Sequence, residues 1–109
     1  EWGAKLITAR EFHREGIEAV TKHLKSNSNC MITLDCDGLD PSIMPAVVAP
    51  TPGGLTYYQT LDLIDAVIKK ANLVGFDMIE FVPQLDPNGQ AAITAARILT
   101  NVVGCLALK

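Results

Sequence analysis

Cys30-Met31-Ile32-Thr33-Leu34 runs straight into Asp35-Cys36-Asp37-Gly38-Leu39-Asp40-Pro41. The first five residues form a continuous apolar run of strand length. Such a run, without strict alternation, suits a strand of a parallel sheet covered on both faces. It empties into residues 36–55, which hold Pro41, Pro45, Pro50, Pro52, Gly53 and Gly54. Proline removes backbone donors and glycine loosens the chain, so this segment is expected to be irregular.

Outward from that run the pattern alternates between strand and helix. Lys5-Leu6-Ile7-Thr8 reads as a short strand, and Thr8 with Glu11 has capping-box spacing. The helix it opens carries Phe12, Ile17, Val20 and Leu24 on one face to about residue 25. Thr56 and Gln59 repeat the capping pattern, followed by Tyr57, Leu61, Ile64, Ile68 and Ala71 at helical spacing. Leu73 to Val82 is a second strand-like run, ended by Pro83. Pro87-Asn88-Gly89 then opens a last helix whose polar stripe is Gln90, Thr94, Arg97 and Asn101. With so little polar surface, that helix is expected to be buried on most sides. The order strand–helix–strand–loop–helix–strand–helix predicts an α/β arrangement with a parallel sheet.

Composition narrows the function. Hydrophobic residues make up 49% of the 109 and charged residues 19%, enough apolar material for a packed core. The net charge is -3 with no Lys/Arg cluster, which argues against nucleic acid and against anionic membrane surfaces as partners. No unbroken apolar stretch is expected to span a membrane, since Thr94, Arg97, Thr100 and Asn101 interrupt the best candidate. Cys30, Cys36 and Cys105 share no CxxC spacing, so a reducing, cytoplasmic location is the expectation. The chain opens Glu1-Trp2-Gly3 without methionine, and three strands cover a parallel sheet poorly. Residues 1–109 are therefore expected to be a single, partial domain.

Ligands of open α/β sheets sit beyond the carboxyl ends of the strands, where Asp35, Asp37 and Asp40 lie. In an extended chain, residues two apart point the same way, so Asp35 and Asp37 are expected to reach one cation or a pair of cations. A bound metal would relieve the repulsion between them. Three other readings compete. The acids can be solvated, with Asp40 capping a turn. A calcium EF-hand wants Gly and Glu where Asp40 and Ala46 stand, and so fails. A phosphotransferase of the haloacid-dehalogenase type would use Asp35 as nucleophile, but Leu39 stands where its pattern wants Thr or Val.

Thr33-Leu34-Asp35-Cys36-Asp37-Gly38-Leu39-Asp40-Pro41, followed by Thr51-Pro52-Gly53-Gly54-Leu55-Thr56, closely resembles the signature of the ureohydrolase (arginase/agmatinase) family. Gly75-Phe76-Asp77-Met78-Ile79-Glu80 resembles its last-strand motif. Asp86-Pro87-Asn88-Gly89 with Ala95-Ala96-Arg97 resembles the agmatinase branch. One departure is Thr33, where the family has Ser two residues before the first Asp; a hydroxyl is kept.

The resemblance implies the C-terminal part of a three-layer α/β/α fold with a mostly parallel sheet. It implies a manganese-dependent amidinohydrolase that converts a guanidino compound to urea and an amine. Asp35 and Asp37 would be ligands of a two-ion Mn²⁺ centre, with Asp35 bridging, and Glu80 would face the guanidinium of the substrate. A carboxylate at a strand end suits a planar cation. Asp77, opposite by strand alternation, is expected to be structural. The family's remaining ligands lie in Gly-Gly-Asp-His and Asp-Ala-His-x-Asp motifs, neither of which occurs here, so no catalytic proton carrier is expected in this chain. The isolated chain is then expected to be inactive. Family habit and the apolar last helix point to a trimer or hexamer. The contrasting hypothesis is a non-catalytic α/β interaction module.

His13 and His23, ten residues apart on one predicted helix, are expected to serve surface or packing roles. Cys36 is expected to be a small buried residue that points away from the metal.

Overall fold

The computed structural model describes residues 2–109. The Thr8 capping box forms: its hydroxyl accepts the Glu11 amide, and the Glu11 carboxylate accepts the Thr8 amide at 2.7 Å. It opens α1, Ala9–Glu15, but the helix stops at Gly16, whose φ of 72° ends it in the left-handed region. A separate short α2 covers Glu18–Thr21. The single helix expected to about residue 25 is therefore two, because a glycine intervenes. The strand expected over residues 5–8 does not form: these residues have no sheet partner and are largely exposed.

Two strands pair in parallel, β1 (Asn29–Asp35) and β2 (Asn72–Ile79). Between them lie a 3₁₀ turn at Cys36–Gly38, the Pro/Gly-rich loop, and α3 (Tyr57–Lys70). The Thr56/Gln59 capping box opens α3 as the sequence predicts. Register irregularity after Cys30↔Leu73 leaves Val74 as an extra residue, since Met31 pairs with Gly75. The bulge shifts the alternation of β2, so that Leu73, Phe76 and Met78 all reach the core, with Ile32 and Leu34 of β1. Met31, Thr33 and Asp35 of β1 are exposed on the other face.

Among the described residues, helices cover only one face of this sheet. The α/β class and the parallel pairing are as expected, and β1 alternates because, within the described residues, its second face lies open. The irregular loop is not a solvated excursion: Leu39, Met44, Ala46 and Val47 are buried in the main core. Burying a Leu or Met side chain contributes roughly 1.5–3 kcal/mol, so the loop is held by the interior rather than merely tethered at its ends.

The last helix, α4, covers Gln90–Ala107. Asp86 caps it, its two carboxylate oxygens accepting the amides of Ala91 and Ala92 at 3.2 and 2.9 Å. By length and composition α4 is apolar enough to cross a membrane, which corrects the expectation that no stretch would be. Ala91, Ala95, Ile98 and Val102 nevertheless pack one stripe of it into the core cluster with Ile64 and Ile68 of α3. The expected burial on most sides is also corrected: Ile93 and Val103 are 60% and 66% exposed.

Candidate metal centre

β1 delivers Asp35 to the carboxyl edge of the sheet, paired with Ile79 of β2. Immediately after it the chain tightens into the 3₁₀ turn, and the Asp35 carboxylate accepts the Asp37 amide at 2.9 Å. The turn thus ties the Asp35 carboxylate to the Asp37 backbone, where alternation would have continued the extended strand. Cys36, between them, is fully buried. Burial, and then the carboxylates of Asp35, Asp37 and Glu80, push its thiol up to about 11. Its place in the core cluster agrees with its expected packing role.

Glu80 follows β2 directly, with φ 64°. A non-glycine residue in the left-handed region costs of order 1–3 kcal/mol and persists only where surrounding structure fixes it. Because β2 ends at Ile79, strand alternation does not place Glu80 relative to Asp77. Asp77 pairs with Thr33, two register positions from Asp35, and its Oδ1 is buried without a hydrogen-bond partner.

Asp37 carries a second unpartnered buried oxygen, also Oδ1. An ionised oxygen taken from water without a donor is costly, and a cation removes the cost. Two carboxylates at one strand end form a hard oxygen donor set, suited to Mn²⁺ or Mg²⁺ rather than to thiophilic metals. These residues fit part of such a centre. Among the described residues no group of three or more His, Cys, Asp or Glu converges as a complete one.

The Gly-rich stretch locks the turn from outside. The Leu55 amide donates to Gly38 O at 2.9 Å, and the Asp40 amide donates to Leu55 O at 2.9 Å. Gly54 lies against this turn so closely that a Cβ there would come within 2.5 Å of the Leu39 carbonyl carbon. Asp40 serves the loop: its carboxylate accepts the amides of Ser42 at 3.0 Å and Gly53 at 3.2 Å. Those bonds, from Ser42 first and then Gly53, hold its carboxyl below the ordinary value of 3.8. A lowered carboxylate contributes stability above its unfolded value and loses it as pH falls through the folded one. The difference in urea midpoint between wild type and Asp40→Asn should then be constant above about pH 4 and shrink below it. A difference that persists unchanged into acid would refute this role.

His13, assigned to packing or surface by its letters alone, is a connector. Its Nε2 lies 3.0 Å from Gly53 O and its Nδ1 lies 3.1 Å from the Gln59 amide nitrogen. His23 is not on the same helix, since α2 ends at Thr21. No periodicity marks a long-range partner such as Gly53, so only the fold reveals His13.

The profile of the arginase family matches residues 1–105. An N(1)-aminopropylagmatine ureohydrolase of Thermus thermophilus is 40% identical over 98% of this chain and 36% of its own length. An agmatinase of Chromobacterium violaceum is 35% identical over 95% of this chain and 33% of its own. Among solved structures, a hypothetical agmatinase from Burkholderia thailandensis superposes with a TM-score of 0.83 at 27% identity, over 96% of this chain and 34% of that one. The chain thus spans about a third of the length of the relatives it matches.

Proposed function

The chain belongs to the arginase family, and on that premise we propose that it forms part of the active site of a manganese-dependent, agmatinase-like amidinohydrolase. The observation that carries this reading is the buried, unpartnered Oδ1 of Asp37 beside Asp35 at the carboxyl edge of the sheet. Asp35 and Asp37 would hold the metal, and the remaining ligands and the proton carrier would come from polypeptide outside these residues. Manganese, when bound, supplies Lewis acidity and lowers the pKa of water.

The chain's own residues do the positioning. The capped turn ties the Asp35 carboxylate to the Asp37 backbone, and Cys36 fills the interior beneath them. Glu80, held at one strand end by its unusual backbone, accepts the planar guanidinium of the substrate and orients its central carbon. Relatives named for agmatine and aminopropylagmatine favour a guanidino compound with an amine-bearing tail. A phosphotransferase role for Asp35 has no support from the family match. The bare apolar stripe of α4 suits coverage by further protein, consistent with a homo-oligomer.

The test is urea release with Mn²⁺ from agmatine and aminopropylagmatine. The complete protein carrying this chain should release urea, the 109-residue chain alone should release none, and Glu80→Gln should raise KM in the complete protein. A complete protein that binds Mn²⁺ yet releases urea from no guanidino compound would sink the proposal in favour of a non-catalytic module.

A further inference from the structure

We infer that His13 is a positioning residue: held between Gln59 and Gly53 with Nε2 as donor and Nδ1 as acceptor, it clamps the Gly-rich loop onto the turn that carries Asp37. Backbone carbonyls only accept, so Nε2 must donate to Gly53 O, 3.0 Å away. The orientation of the Gln59 amide is fixed from its other side. Its Oε1 accepts the Thr56 amide at 3.0 Å and the Thr56 hydroxyl at 3.1 Å, which leaves the NH₂ facing Nδ1 at 3.1 Å. Nδ1 must therefore accept and be bare.

A continuous path follows from these bonds. The α3 cap orients Gln59, Gln59 orients His13, and His13 holds Gly53 O. The Gly53 amide donates to the Asp40 carboxylate at 3.2 Å. Leu55 exchanges backbone bonds with Gly38 and Asp40 on either side of Leu39. Gly38 adjoins Asp37. α1 and α3, which contribute no ligand, thereby set the position of a turn that does. Only the link to metal rests on the proposed function, since the tautomer and the loop's protection are properties of the chain without any ion.

The inference is tested in the complete protein that carries this chain, prepared without metal. Long-range ¹H–¹⁵N spectra at pH 8 should show a protonated Nε2 and a bare Nδ1 for His13. His13→Ala should speed exchange of the Leu55 and Asp40 amides about tenfold, the equivalent of one or two modest hydrogen bonds. Amides within the β1–β2 pairing should keep their rates. His13→Gln, whose amide can still donate to Gly53 O, should restore much of the protection. A ring protonated at Nδ1, or wild-type exchange at Leu55 and Asp40 in His13→Ala, would overturn the inference. Should His13→Ala fail to fold, the wild-type ring spectrum and exchange in His13→Gln decide it. Glutamine as exchange-prone as a global unfolding variant argues against the clamp. Failure of Mn²⁺ to bind would leave these results standing and count against the proposed function alone.

Discussion

Gly54→Ala is expected to destabilise the protein by about 3 kcal/mol, read as a lowered urea midpoint with an unchanged slope. The added methyl would lie 2.5 Å from Leu39 C and 2.7 Å from both Asp40 N and Gly38 O. All three are backbone atoms, so no side chain can rotate away. The loop must retreat, and in retreating it loses the two bonds through which Leu55 holds Gly38 and Asp40. Gly53 is the control. Its φ is 87°, but a Cβ there would meet nothing within 4 Å, so Gly53→Ala should cost only about 1 kcal/mol of conformational strain. Equal losses at the two positions would mean that the close approach of Gly54 is not what fixes the turn.

Asp37→Asn should separate stability from metal binding, with opposite signs. Without metal, the substitution removes a carboxylate whose Oδ1 is buried and unpartnered, so stability should hold or rise. With metal, the sign reverses. Mn²⁺ at about a hundredfold its Kd should stabilise the complete wild-type protein by about 2.7 kcal/mol, and Asp37→Asn should lose most of that gain. Asp35→Asn keeps an oxygen to accept the Asp37 amide, so its fold should also survive. Urea release should nevertheless fall in both variants on the order of a thousandfold, which is about 4 kcal/mol of transition-state stabilisation. Thermal shifts with and without Mn²⁺ measure the first effect and a urea assay the second. An Asp37→Asn protein with the wild-type Mn²⁺ shift would remove Asp37 from the centre.

Local rules made much of this legible. Thr8/Glu11 and Thr56/Gln59 marked two helix starts, because a capping box needs only four neighbouring residues. The apolar runs located both strands to within a few residues, and the carboxylate motif located the turn. Features set by distant atoms were not legible. Residues 5–8 have strand letters but no partner strand among the described residues, so they stay extended and unpaired. The bulge at Val74 follows from packing against β1, and it moved Phe76 and Met78 to the core face. Alternation does not carry through to Asp37 because the chain turns at Cys36, nor to Glu80 because β2 has already ended. His13 was opaque for the same reason: its partners stand 40 and 46 residues away.

The left-handed backbone of Glu80 sets stability against function at one position. Glycine adopts that conformation freely, so Glu80→Gly would relax the main chain while deleting the carboxylate. Selection for thermal tolerance alone would favour that exchange, whereas a lineage that needs the carboxylate proposed to meet the substrate would keep the strained residue.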